Sequence, residues 1–192
     1  MRSSVIRLFA LGTLVGLAGC GQSVPAPSSY KEFSAKNGTF SCSAPSDWDV
    51  EGGDGTRTEY SMCTFTKGAA SIRVEADLAG SLHADIAKSA NARMGGEVES
   101  PVAAVHALKI SSLKDEFTNY KEREAKPFQS KGLGEGRKAI FIADGGMVGK
   151  MYGYHATLLT GDKRLTILCQ CPATNWKVLR PAFDKVLLSM SR

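Results

Sequence analysis

Alternating apolar and polar positions mark the first strands of the chain. Phe40, Cys42 and Ala44 are separated by polar residues. Because successive side chains of a strand point to opposite faces, this period of two predicts a half-buried strand over residues 39–44. Two further strands are predicted by the same alternation over residues 60–66 and 71–77. With short turns between them, the three strands are expected to form an antiparallel meander.

A change to helical spacing divides the chain after the third strand. Residues 82–94 carry apolar side chains at this spacing, and the Gly-Gly pair that follows is expected to end a helix. Ser100 and Pro101 then place a capping residue before a proline, an order typical of a helix start. The apolar stripe behind them predicts a helix that ends near Tyr120. The stripe contains Val102, Val105, His106, Ile110, Leu113 and Phe117.

The rest of the chain returns to strands and closes with a helix. Strands are predicted over residues 137–143, 150–160 and 164–171. Gly161 and Asp162 are expected to join the last two as a hairpin turn. Residues 121–131 suit an edge strand or a loop because they contain a proline. A final apolar stripe predicts a closing helix that begins near residue 180, since Pro181 disfavours a helix interior.

This order of elements predicts an α+β fold. Strands are followed by helices, then by more strands and a last helix, without internal repeats. We therefore expect a single domain over residues 38–192, built as an antiparallel sheet of about six to seven strands flanked by helices.

The N-terminal segment has the order of a secretory signal. Arg2 and Arg7 accompany an apolar stretch over residues 8–17, which is too short for a membrane span of about 20 residues. The tetrapeptide Leu-Ala-Gly-Cys that ends at Cys20 resembles the lipobox of bacterial lipoproteins. This resemblance implies removal of residues 1–19 and attachment of fatty-acyl chains, palmitate among them, to Cys20.

The lipobox resemblance also implies a location. Several acyl chains on Cys20 would hold the protein stably on a membrane, outside the cytoplasm. Gly21, in place of an aspartate, favours the outer membrane facing the periplasm in a bacterium with two membranes. Residues 20–37 are rich in proline and serine and are predicted to form a flexible tether.

The charge balance is that of an ordinary solvated surface. Without the first 19 residues the chain keeps 22 basic and 19 acidic residues, a net charge of +3. No basic cluster with interleaved aromatic residues is present, so a nucleic-acid partner is excluded. The partners expected are the membrane, through the lipid, and an unidentified protein or small-molecule ligand.

Four further cysteines are disulfide candidates, because the chain is expected to be exported. They are Cys42, Cys63, Cys169 and Cys171. Cys42 and Cys63 are the leading pair, since they are expected to face each other on adjacent antiparallel strands, within disulfide reach. The rival pairing joins one of these two to Cys169 or Cys171.

Candidate chemistry in the sequence is sparse. Cys169 and Cys171 suggest a thiol-disulfide redox protein as an alternative function, although both stand at the end of a strand rather than at a helix N-terminus. His83, His106 and His155 share no metal-ligand spacing, and His106 lies on an apolar stripe typical of a core histidine. We therefore expect no catalytic residue, no metal and no cofactor.

The order of elements also resembles the PsbP family. Phe40, Pro45 and Trp48 match the opening of such domains, where an aromatic strand is followed by a proline and a tryptophan. The hairpin over residues 150–171 and a final helix that contains Phe183 match their ending. This resemblance implies an antiparallel sheet flanked by helices, and a non-catalytic role in binding or assembly. Together with the lipobox, it makes a binding or scaffolding module of the cell envelope the expected function. It carries over no ligand-binding residue.

Overall fold

The structure is a computed structural model that describes residues 23–54, 60–77, 100–160 and 163–192. Within these ranges the chain forms ten strands and two α-helices, and the predicted α+β class is confirmed. The strands are β1 (Tyr30–Ser34), β2 (Ser41–Pro45), β3 (Asp49–Gly52), β4 (Tyr60–Lys67), β5 (Ala70–Asp77), β6 (Lys121–Glu122), β7 (Lys126–Ser130), β8 (Gly134–Asp144), β9 (Lys150–Thr160) and β10 (Lys163–Pro172). The helices are α1 (Pro101–Glu116) and α2 (Trp176–Ser189).

Eight of the described strands form one antiparallel sheet. Its strand order is β3-β4-β5-β10-β9-β8-β6, and β7 also pairs with β8. β1 and β2 pair separately as a two-stranded sheet. The large sheet exceeds the predicted six to seven strands because it includes very short edge strands, four residues in β3 and two in β6. Residues 121–131, expected to be an edge strand or a loop, supply β6 and β7.

The two helices lie on opposite faces of the large sheet. Phe183 of α2 belongs to a core that also contains Ile167 and Cys169 of β10. Leu113 of α1 belongs to a smaller core with Leu168 of β10. Because neighbouring residues of a strand point to opposite faces, Leu168 and its neighbours place α1 and α2 on opposite sides. The central strands are therefore covered on both faces.

α1 starts as predicted but ends earlier. Ser100 is its N-cap and Pro101 its first residue. The helix stops before Phe117, whose backbone is extended (φ −114°, ψ 130°), instead of continuing to Tyr120. The ring of Tyr120 lies against Phe141 of β8, with ring centroids 5.1 Å apart. Packing of this ring onto the sheet replaces the last helical turn.

α2 begins earlier than predicted and runs through Pro181. It starts at Trp176 rather than near residue 180. The proline removes one backbone donor from the helix interior. Leu179 and Phe183, one turn apart around it, are both fully buried. Burial of this apolar face outweighs the loss of a single hydrogen bond.

The folded part of the chain begins before residue 38. β1 pairs with β2 and places Phe33 opposite Cys42. The Phe33 ring also packs edge-on against Phe65 of β4, at 5.0 Å between centroids. The tether predicted over residues 20–37 is therefore wrong where it includes β1, because an aromatic contact and backbone pairing order that strand.

Cys42 and Cys63 do not lie on adjacent strands. Cys42 lies on β2 of the small sheet, whereas Cys63 lies on β4 of the large one. Their strands are not neighbours, so the premise of the Cys42–Cys63 bond is wrong. Both thiols, like those of Cys169 and Cys171, are buried and free in the structure. The bond itself stays a prediction, and peptide mapping without reduction is the measurement that decides it.

Two predicted elements lie outside the described residues. They are the helix over residues 82–94 and the turn at Gly161 and Asp162. The strands that flank this turn do pair, with Thr160 of β9 opposite Lys163 of β10. Among the residues that the structure describes, no helix is long and apolar enough to cross a membrane.

Candidate functional site

A polar cluster is buried on the face of the sheet that α1 covers. His106 comes from α1, Glu122 from the end of β6 and His155 from the middle of β9. The two histidine side chains are 2% and 0% exposed, and that of Glu122 is 5% exposed. We call these three residues the His-Glu-His cluster.

The fold brings the three positions together from distant parts of the sequence. His155 lies opposite Leu168 of β10, a residue of the core beneath α1, and therefore faces the same helix. His106 is among the buried residues of α1, which packs across β8 and β9. Glu122 lies opposite Phe141 where β6 pairs with β8. The edge strand β6 thus positions the Glu122 carboxylate beside α1.

Hydrogen bonds join the cluster through both carboxylate oxygens. His106 Nε2 lies 2.7 Å from Glu122 Oε1, and His155 Nδ1 lies 3.2 Å from Glu122 Oε2. The two imidazole rings stack, with centroids 3.9 Å apart and planes inclined by 16°. The Tyr120 hydroxyl donates to Glu122 Oε2, and Thr157 Oγ1 lies 3.0 Å from His106 Nδ1. No described group hydrogen-bonds the buried His155 Nε2.

Burial and these contacts set the protonation states. Burial raises the pKa of Glu122, but hydrogen bonds from His106 and His155 outweigh it and lower that pKa to about 2. Burial lowers the pKa of His155, against the opposing effect of its bond to Glu122. The pKa of Tyr120 is raised, first by burial and then by its hydrogen bond to Glu122. Near neutral pH the cluster holds a carboxylate, a neutral His155 and an uncharged phenol.

A pocket of about 690 Å³ opens beside the cluster, between α1 and residues 120–125. His106 and Glu122 form part of its wall, so two of the three residues of the His-Glu-His cluster contact the pocket. Four cationic side chains also line it, namely Lys114, Lys121, Arg123 and Arg137. The lining includes two carboxylates, Glu122 and Glu124, so positive charge is in excess.

Thr157, His106 and Glu122 follow the hydroxyl–imidazole–carboxylate order of a catalytic triad. In a hydrolase the hydroxyl must reach the carbonyl carbon of the substrate. Thr157 is 0% exposed, on β9 beneath α1, and no substrate can approach its oxygen. The hydroxyl therefore orients the His106 ring rather than acting as a nucleophile.

Sequence reasoning missed this cluster. His106 was expected to be a core histidine, and it is indeed buried on α1. His155 and Glu122 share no short spacing with it, and His83 lies outside the described residues. The available signal was a histidine at a core position in each of two elements, since a buried imidazole needs a buried partner. The sequence does not show which carboxylate supplies it.

The cysteines of β10 are poorly placed for redox chemistry. Cys169 and Cys171 are both fully buried. Burial raises the pKa of Cys169 well above its ordinary value and that of Cys171 to about 12. Thiol exchange needs an accessible thiolate, which these surroundings disfavour. The alternative thiol-disulfide function has no support in this geometry.

Similarity to known proteins concerns the fold alone. CyanoP, the cyanobacterial PsbP of Synechocystis sp. PCC 6803, matches with a TM-score of 0.49 and 12% identity over 93% of this chain and 98% of CyanoP. Protein PA94 of Pseudomonas aeruginosa, whose function is unknown, matches with a TM-score of 0.44 and 9% identity, over 81% and 92% of the two chains. No family model and no curated protein matches the chain.

Proposed function

We propose that the chain is a lipid-anchored, non-catalytic binding protein on the extracytoplasmic side of a bacterial cell envelope. The tetrapeptide ending at Cys20, placed after a basic and then an apolar segment, supports the anchor. The observation that carries the binding role is the pocket beside α1, with His106 and Glu122 of the His-Glu-His cluster in its wall. The lipid would hold this pocket close to the membrane surface.

The chemistry of the pocket favours a small ligand with negative charge. Its volume of about 690 Å³ falls within the range of small-molecule sites. Lys121 and Arg123 are exposed on its rim, and Arg137 is half-buried in its wall. A carboxylate or phosphate group would form charge-assisted hydrogen bonds with these side chains.

Small carboxylates and phosphates are expected to raise the thermal midpoint of the protein. Because Lys121 contributes one of the rim charges, Lys121→Glu should reduce this rise for the same compounds. A differential scanning fluorimetry panel measures both, with Lys126→Glu as a control on the neighbouring strand. Equal shifts for the two variants, or no shift with any anion, would contradict an anion-binding pocket.

Cys20→Ser is expected to release the protein from the membrane, since the thiol that carries the lipid is lost. Fractionation of expressing cells measures this release, and incorporation of labelled palmitate into the wild type measures acylation. Ser23→Ala, just outside the lipobox, is the matched control and should remain in the membrane fraction. A Cys20→Ser protein that still sediments with membranes would overturn the anchor.

A further inference from the structure

We propose that the His-Glu-His cluster binds a divalent transition-metal ion, with His106 Nε2, His155 Nδ1 and the Glu122 carboxylate as its three protein ligands. This metal site rests on the proposed binding function and extends it, because it names an ion that would be bound at the wall of the pocket. It does not depend on the lipid anchor. A metal ion at this position would also coordinate the anionic ligand that we propose for the pocket.

The donor atoms are already close to the spacing of a metal site. One donor atom from each residue lies within 4.8 Å of the other two. In a tetrahedral zinc site with bonds of about 2.0–2.1 Å, neighbouring donors are roughly 3.3 Å apart. His155 Nδ1 and Glu122 Oε2 have that separation, at 3.2 Å. His106 Nε2 and Glu122 Oε1, at 2.7 Å, need to move apart by about 0.6 Å, and the two stacked imidazole rings need to turn so that both nitrogens point at one ion.

The ligand set selects the class of ion. Two imidazoles and one carboxylate suit Zn²⁺, Fe²⁺, Ni²⁺ or Cu²⁺. Ca²⁺ and Mg²⁺ prefer ligand sets made of oxygen atoms alone. Three protein ligands also leave at least one coordination position open, as in zinc sites that bind water or an exogenous ligand.

Both histidines can present a bare nitrogen to the ion by a change of tautomer. Without metal, His106 Nε2–H donates to Glu122 and Nδ1 accepts from the Thr157 hydroxyl. With the ion on Nε2, the proton sits on Nδ1 and is donated to Thr157 Oγ1 instead. A hydroxyl both donates and accepts, so Thr157 supports either state. In His155 the proton moves to Nε2, which lacks a described partner in both states.

The pocket gives the metal ion access to its ligands and leaves space for an anion at the open coordination position. His106 and Glu122 line it, so an ion reaches their donor atoms from solvent without an opening of the core. The cationic rim disfavours a bare cation but favours an anion bound at the open coordination position. The metal and the excess positive charge would therefore act together on one anionic ligand.

Zn²⁺ alone is the probe for the first test, titrated calorimetrically into the full chain in detergent after removal of metal with a chelator. We expect saturable binding of one equivalent per chain. Absence of saturable binding in the wild type overturns the proposal and makes the cluster a purely structural hydrogen-bond network. The measurement is independent of membrane fractionation, so failure of the anchor leaves its result intact.

Matched carboxylate variants locate the site. Glu122→Gln is expected to lose the one-equivalent binding, whereas Glu32→Gln, at an exposed position of β1 away from the pocket, should bind as the wild type does. Thr157→Val, which conserves side-chain shape, is expected to weaken the affinity about 10- to 100-fold, because an outer partner of a ligand is removed. Circular dichroism checks that each variant is folded. Binding unchanged by Glu122→Gln and Thr157→Val would overturn the assignment.

Co²⁺ in place of Zn²⁺ tests the donor atoms on the wild-type protein itself. Nitrogen and oxygen ligands are expected to give visible d–d bands without the strong near-ultraviolet band of thiolate-to-cobalt charge transfer. A thiolate band would place the ion on cysteine and would also overturn the site. This readout requires no variant to fold.

Discussion

Replacing Phe183 by alanine is expected to destabilise the protein by about 3–5 kcal/mol. Phe183 is fully buried at the centre of α2. Its ring packs edge-on against Trp48, with centroids 6.4 Å apart, and lies 6.2 Å from the ring of Trp176. Truncation removes the apolar surface that joins α2 to the sheet and leaves a cavity among rigid aromatic rings.

Urea denaturation of the wild type and of Phe183→Ala measures this loss. Val178→Ala is the matched control, because Val178 lies on the same helix and is 46% exposed. The control is expected to change the free energy of unfolding by less than about 0.5 kcal/mol. An unchanged midpoint for Phe183→Ala would show that the apolar face of α2 does not cover the sheet in solution.

Glu122→Ala is expected to cost about 3 kcal/mol of stability when a chelator keeps the protein free of metal. Glu122 accepts hydrogen bonds from Tyr120, His106 and His155. Each buried donor left without an acceptor costs roughly 1–3 kcal/mol, and water entering from the pocket restores part of this loss. The expected cost is therefore smaller than the sum over the three donors.

Thermal unfolding with a chelator present measures the effect of Glu122→Ala. Glu124→Ala is the control, since Glu124 lies on the exposed side of the same segment and accepts no hydrogen bond from the cluster in the described structure. We expect its midpoint to match that of the wild type. If the two variants unfold at the same temperature, the buried network does not contribute to stability as the structure indicates.

Local signals in the sequence were sufficient for most elements. The alternation at Tyr154, Ala156 and Leu158 marks β9, and these residues do share the main core. Ser100 and Pro101 mark the start of α1 because the cap and the proline act within one turn. Such signals depend on neighbours in sequence, so a single sequence is enough to detect them.

Pairing between distant segments was beyond these signals. The alternation around Cys42 and Cys63 predicts two consecutive strands, and consecutive strands are expected to be neighbours in a meander. β2 instead pairs with β1 in a separate two-stranded sheet, and nothing local in the sequence indicates this partner. The cluster depends on the same long-range information, since His106 and His155 meet only after α1 has docked on β9.

The pairing of β5 with β10 determines when the sheet can be completed. Ala76 of β5 lies opposite Leu165 of β10, so the centre of the sheet joins two segments that are far apart in the sequence. Until β10 has been synthesised, β5 presents a row of unpaired backbone groups, which invites pairing with other chains. Contacts between such distant segments also slow folding. A ribosome-bound chain therefore remains vulnerable to aggregation until β10 emerges.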